Sequence, residues 1–304
     1  MLNSRFTRLP WMGTLLAALL AASFAFAAGP PAGDCADCPT AKKVMGLLTE
    51  WEGAAKQAAS MSDQDRARLT SKMQSCKEQC PVGSRLGDTV TAVRDVLADA
   101  IAAAEANAKH CPLETAKAGG ASCEEALAMK TMRGQALHGL HQLASYTAGA
   151  VTGCCESSGA VKTSLAAKSD SCEKGTTCPI QTASRLGMLR ASWKTAKQEA
   201  VAMPAARKQA LLTSMGSLGQ EVKAVTLVPA SVLTLAEGLG KLNELNAQMG
   251  EWAQAHAELL ADVPPSAMQS FQLHNALIDQ ARELLQGVTE TMTALHGDSL
   301  AVSN

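Results

Sequence analysis

Val232-Leu-Thr-Leu235-Ala-Glu237-Gly-Leu239-Gly-Lys241-Leu242-Asn-Glu244-Leu245-Asn246 opens the stretch that decides the fold, and its seam runs on through Met249, Ala253, His256, Leu260 and Val263. Apolar positions recur at alternating steps of three and four, the mark of a helix with one buried stripe. Leu245, Trp252 and Leu259 add a second row, widening the stripe beyond a two-stranded zipper to what a bundle helix needs. Glu237, Lys241, Glu244, Gln248, Glu251 and Glu258 fall opposite, with Glu237 and Lys241 in the favourable i,i+4 order.

Asp262-Val-Pro264-Pro265-Ser266 stops this arm, because consecutive prolines remove donors and push the preceding residue out of helical geometry. Ser266 then reads as an N-cap, with Gln269 completing a capping box. A second arm repeats the rhythm with Ala267, Phe271, His274, Ile278, Ala281, Leu285, Val288, Met292 and Leu295. Each arm is about 45 Å long at the helical rise, so the two match when folded into a hairpin.

The chain starts with the pattern of a signal peptide over residues 1–27: Arg5 and Arg8, an apolar run from Leu15 to Phe26, and Ala25-Phe26-Ala27 as the cleavage site. The expectation is export to the periplasm or the medium, with no integral membrane span left after cleavage. Without Arg5 and Arg8, 25 basic residues face 28 acidic ones, a balance that argues against nucleic acid or an anionic membrane surface as partner. Only Trp51, Tyr146, Trp193, Trp252 and Phe271 remain as aromatics, too few for a base- or sugar-stacking platform.

After a Pro-Gly linker at 28–37, four helical patterns occupy 38–148. They cover Thr40 to Ser60 with Val44, Leu47, Leu48 and Trp51; Ser62 to Gln79, where Ser62 and Asp65 form the start signal; Ser84 to Lys109; and Ser122 to Ala148. Residues 149–177 turn to Gly, Ser, Thr, Lys and Cys and read as a connector, with at most a short helix near 161–168. A second unit follows at 178–297, then a tail at 298–304. Cys178-Pro179 repeats Cys38-Pro39, and a shift of 142 positions brings Trp51 onto Trp193. At the same shift Met61 pairs with Met203, Leu69 with Leu211, Met73 with Met215 and Val90 with Val232. The fold class expected is all-α: two tandem antiparallel four-helix units, related by internal duplication and stapled by disulfides, with the long hairpin at the C-terminal end. A single eight-helix array is the alternative.

All ten cysteines (Cys35, Cys38, Cys76, Cys80, Cys111, Cys123, Cys154, Cys155, Cys172 and Cys178) follow the leader, and an even number in an exported chain reads first as disulfides. If the first two helices fold back on each other, Cys35 and Cys38 come beside Cys76 and Cys80. A staple there closes a loop of about 40 residues, worth about 4 kcal/mol. Cys111 and Cys123 would close the loop before the fourth helix, and Cys178 would look to Cys172 or to Cys154 and Cys155. Two chemical readings compete. Cys35, Cys38, Cys76 and Cys80 have a spacing suited to a tetrahedral thiolate zinc site, and Cys35-Ala-Asp-Cys38 before a helix N-terminus suits thiol–disulfide exchange.

His256 and His274 fall on the two hairpin seams at nearly one level and are the other metal candidates; the plainer reading is a hydrogen-bonded pair. His138 belongs to a polar face with Thr131, Gln135 and Gln142, whereas His141 lies nearer the core with Leu137 and Ala144. Glu-x-x-His pairs, HExxH, GxSxG, a Walker loop and a dinucleotide-binding glycine fingerprint are absent from the sequence. Met45, Met61, Met73, Met129, Met132, Met203, Met215, Met249, Met268 and Met292 have core-like spacing, which favours core filling over a copper relay. The sequence thus points to a non-catalytic exported protein with a binding, scaffold or envelope-associated role, through a protein partner or self-association and with no cofactor. A zinc- or copper-binding protein is second, and a thiol–disulfide oxidoreductase third.

Overall fold

The computed structural model describes residues 39–108, 122–153, 178–255 and 265–297. Among these residues the chain forms helices, with no strand: α1 (Pro39–Ala59), α2 (Asp63–Gln79), α3 (Gly83–Ala108), α4 (Ser122–Gly153), α5 (Pro179–Ala202), α6 (Ala205–Glu221), α7 (Lys223–Ala255) and α8 (Pro265–His296). The sequence signals set most of these limits. Ser62 caps α2, its hydroxyl accepting the Asp65 N–H at 3.1 Å, and Pro179 opens α5 at a position where a missing donor costs nothing. Pro265 opens α8 in the same way, so Ser266 sits inside the first turn instead of capping it. The fourth helix runs past its expected end at Ala148 to Gly153. The expected short helix near 161–168 lies outside the described residues.

Long antiparallel neighbours build the centre. α7 and α8 form the hairpin that their seams require, pinned by Asn246 Nδ2 donating to Asn275 Oδ1 at 2.7 Å and Asn243 Nδ2 to Asp279 Oδ1 at 2.8 Å. α3 packs along both α4 and α8, and α4 along α7, so α3, α4, α7 and α8 close a four-helix ring. α1 lies in the groove between α4 and α7, and α5 in the groove between α8 and α3. Val90, Val93, Leu97, Leu140, Leu143, Leu235, Leu239, Leu242, Ile278 and Leu285 meet inside with no exposure. Each such leucine or isoleucine contributes about 2 kcal/mol by leaving water.

The directions of the outer helices follow from their polar contacts. Lys43 pairs with Glu237 at 3.0 Å and Trp51 Nε1 donates to Ser231 Oγ at 2.9 Å, so α1 runs opposite to α7. Trp193 Nε1 donates to Thr89 Oγ1 at 2.6 Å and Arg185 pairs with Asp95 at 2.8 Å, so α5 runs opposite to α3. Lys197 with Glu290, and Arg190 with Glu283, set α5 parallel to α8. Therefore α1 and α5 both finish at the end of the ring where α3 and α7 begin. α2 links α1 to α3 across that end, and α6 links α5 to α7 in the reverse sense. The two short helices touch each other and form a lid.

This geometry changes three expectations. First, α1 packs on α4 and α7 while α2 packs on α6 and α3, so the first two helices diverge at Met61 and do not fold back. Pro39, which follows Cys38, lies at the far end of α1 from the lid, about 30 Å away for a helix of 21 residues. Cys35 and Cys38, and with them the expected staple to Cys76 or Cys80, lie outside the described residues. Second, helices from both halves of the chain share one apolar core, as in the eight-helix alternative. Third, Lys223–Trp252 is long and apolar enough, by length and composition alone, to cross a membrane, although no such segment was expected after the leader. α7 packs against α1, α4, α6 and α8, and 44 % of its apolar window is buried.

Smaller corrections have local causes. Glu237 reaches across to Lys43, leaving Lys241 to pair with Glu244 at 2.6 Å, so the expected Glu237–Lys241 pair is replaced by one between helices. Met45 is 59 % exposed and Met132 36 %, not core residues. On α1 the buried stripe is Val44, Leu48 and Trp51, and Met45 stands one position off it.

Candidate functional site

Beside the lid, one cleft of about 560 Å³ opens where the α2–α3 corner meets the α5–α6 corner, among Lys77, Glu78, Cys80, Arg85, Glu199, Met203 and Arg207. Both corners are proline turns, Cys80-Pro81 and Met203-Pro204. The first is drawn tight: a Cβ on Gly83 would stand 2.9 Å from Lys77 Cα, so only glycine fits there. Arg85 organises the floor. Its guanidinium donates to the Pro81 carbonyl at 2.7 Å, to Ser192 Oγ at 2.8 Å and to the Glu199 carboxylate at 3.3 Å, tying α3 to α5 under the opening.

Of the four cysteines proposed as a metal set, the structure brings together Cys76 and Cys80, one helical turn apart at the end of α2, where the Cys80 N–H donates to the Cys76 carbonyl at 3.0 Å. Cys80 is buried and Cys76 half-buried, and both are thiols. Burial pushes the Cys80 thiol above its ordinary value, outweighing the lowering by the Val82 and Gly83 amides. Burial also raises Cys76, and the neighbouring Cys80 adds to it. Thiols held protonated in this way are poor nucleophiles, so this pair does not present the activated thiolate that disulfide exchange requires. Among the described residues no three His, Cys, Asp or Glu side chains converge as a metal-binding group.

His274 donates Nδ1–H to the Ser270 carbonyl of its own helix at 2.6 Å, since a carbonyl can only accept. His256, its expected partner, lies outside the described residues. His138 is exposed and 3.1 Å from Gln142 Nε2, while His141 is half-buried. The pKa of His141 is lowered by burial first, then by His138 and Arg94.

Sequence reasoning missed two features. Arg85 and Glu199 stand 114 positions apart, and no spacing rule links them. Arg133 is 7 % exposed on α4, with its guanidinium 4.7 Å above the Phe271 ring, and among the described residues its Nε–H has no hydrogen-bond partner. Burial alone lowers its pKa to about 10. The signal was available: Arg133 lies four residues before Leu137 and seven before Leu140, on the stripe that should be apolar. No protein-family model, no curated protein and no solved structure matches this chain.

Proposed function

We propose that this chain is an exported, non-catalytic helical protein that works as a rigid binding or scaffold element, engaging a protein partner or a second copy through its outer surface. The observation that carries this reading is the packed axis. Leu97, Leu140, Leu143, Leu235, Leu239, Leu242, Ile278 and Leu285 fill the interior of the ring, so recognition falls to the outer faces of the helices. The leader-like start supports export. The test is cross-linking of the full-length protein in its native compartment, with light scattering of the purified chain. A specific cross-linked partner or a defined oligomer is expected; a monomer that cross-links to nothing and turns over a substrate would overturn the reading.

We further read the two halves as an internal duplication. Trp51 and Trp193 are 142 positions apart, and so are the hydroxyl residues that accept from them in exchanged fashion, Thr89 and Ser231. Around this frame, disulfides remain the reading for those cysteines outside the described residues. A free-thiol count tests it: Cys76 and Cys80 should react with a thiol reagent after denaturation without reductant. A count of zero would oppose this assignment.

The second reading, a protein that binds zinc or copper, is favoured by one observation, the adjacency of Cys76 to Cys80, which lines a cleft. Metal analysis of the protein as purified from its native compartment tests it.

A further inference from the structure

The lid covers a layer of sulfur. Met61, Met73, Cys76, Met203 and Met215 pack against the core from the lid helices and their corners, and Cys80 is 5 % exposed beside them. Met73 and Cys76 on α2 and Cys80 at its C-cap occupy positions i, i+3 and i+7, along one side of the helix. Met203, at the opposite corner, lines the cleft together with Cys80. The other half of the chain shows what shape alone demands here. At the same 142-residue spacing Leu218 and Val222 stand where Cys76 and Cys80 do, 5 % and 7 % exposed, and carbon fills the space. Packing therefore does not require thiols.

We propose that Cys76 and Cys80, with the Met73 and Met203 thioethers as auxiliary ligands, bind one soft monovalent cation, Cu(I) or Ag(I). Thiolate and thioether sulfurs select such ions, which are satisfied by two or three soft ligands, whereas structural zinc takes four. The step is an exchange without electron transfer: two S–H bonds break, two metal–sulfur bonds form, two protons leave to solvent, and the site carries one net negative charge. Lys77, Arg85 and Arg207 line the same cleft with Glu78 and Glu199, an excess of one positive charge beside the site. The cleft also supplies the entry path that a buried site needs. The proposal narrows the metal-binding alternative from four cysteines to two and does not depend on the scaffold reading.

The test is a titration of reduced full-length protein with Cu(I) against bicinchoninate as competing chelator, comparing wild type with Cys76→Leu/Cys80→Val, which copies the other half of the chain. Wild type should take up one more tight equivalent than the variant, with a thiolate-to-copper absorption band and two protons released. Met203→Leu should weaken that equivalent by about tenfold. Equal uptake by wild type and the double variant would overturn the proposal. Should the variant lose its helical signal, alkylation of wild type decides: Ag(I) must protect Cys76 and Cys80 from iodoacetamide, and equal labelling with and without Ag(I) rejects the site.

Discussion

Trp51 on α1 donates its indole N–H to Ser231 on α7, a buried bond of 2.9 Å between residues 180 positions apart. Ser231 passes its own proton to the Leu227 carbonyl at 2.9 Å, so the hydroxyl is used in both directions. Trp193 and Thr89 do the same for α5 and α3, with Thr89 donating to the Arg85 carbonyl at 2.8 Å.

Each bond is expected to contribute about 1 kcal/mol. In urea unfolding, Trp51→Phe and Ser231→Ala should each cost that much, and their double-mutant cycle should return a coupling of about 1 kcal/mol. Trp51→Ala adds a cavity and should cost about 3–5 kcal/mol. Strictly additive effects of the two conservative changes would mean the bond contributes nothing.

Two glycines of α7 should respond in opposite ways. A Cβ on Gly238 would stand 2.3 Å from Leu140 Cδ2, and Leu140 is fully buried with nowhere to swing. Gly240 meets nothing closer than Arg282 Cδ at 3.9 Å. Gly238→Ala should lose about 1–3 kcal/mol by overpacking, while Gly240→Ala should gain up to about 1 kcal/mol of helix propensity. Thermal midpoints moving in the same direction would contradict this packing.

Acid should weaken the fold through His141 and His296. Burial lowers the pKa of both from 6.5, with His138 and Arg94 adding to the effect at His141. The folded state thus resists a proton that the unfolded chain accepts near pH 6.5, so stability is intact above that pH and falls as pH drops below it. Urea midpoints at pH 7.5 and 5.5 measure the loss, and His141→Gln should reduce it. A loss of the same size in that variant would place its origin elsewhere.

Arg133→Leu should leave the fold as stable or make it up to about 4 kcal/mol more stable. It trades a buried cation with no ion-pair partner among the described residues for a hydrocarbon side chain. A large drop in the thermal midpoint would show that the guanidinium has a strong partner.

The lid should loosen locally when Glu221→Gln removes its pairs with Lys72 and Arg68. These charges are solvent-screened, so global stability should change little. Hydrogen exchange in α2 is the sensitive readout; unchanged protection there would mean that apolar contacts alone hold the lid.

Legibility in the sequence tracked distance along the chain. The α7–α8 hairpin was readable because its seam residues, Val232 to Leu295, repeat at helical spacing and a proline corner joins them locally. The divergence of α1 and α2 was not. A break at Met61-Ser62 states that a helix ends, but the direction of the next one is fixed by α6 and Glu221, far downstream. For the same reason Cys76 and Cys80 were readable as neighbours, whereas Arg85, Glu199 and Met203, which complete the cleft around Cys80, were not. The expected fold-back of α1 on α2 failed because it assumed a local hairpin.

The exchanged tryptophans also bear on when the fold can close. Trp51 cannot reach its acceptor until α7 has left the ribosome, and Thr89 waits for α5 to bring Trp193. The N-terminal half therefore emerges without its closing partners, and final consolidation falls to a single late event after most of the polypeptide exists.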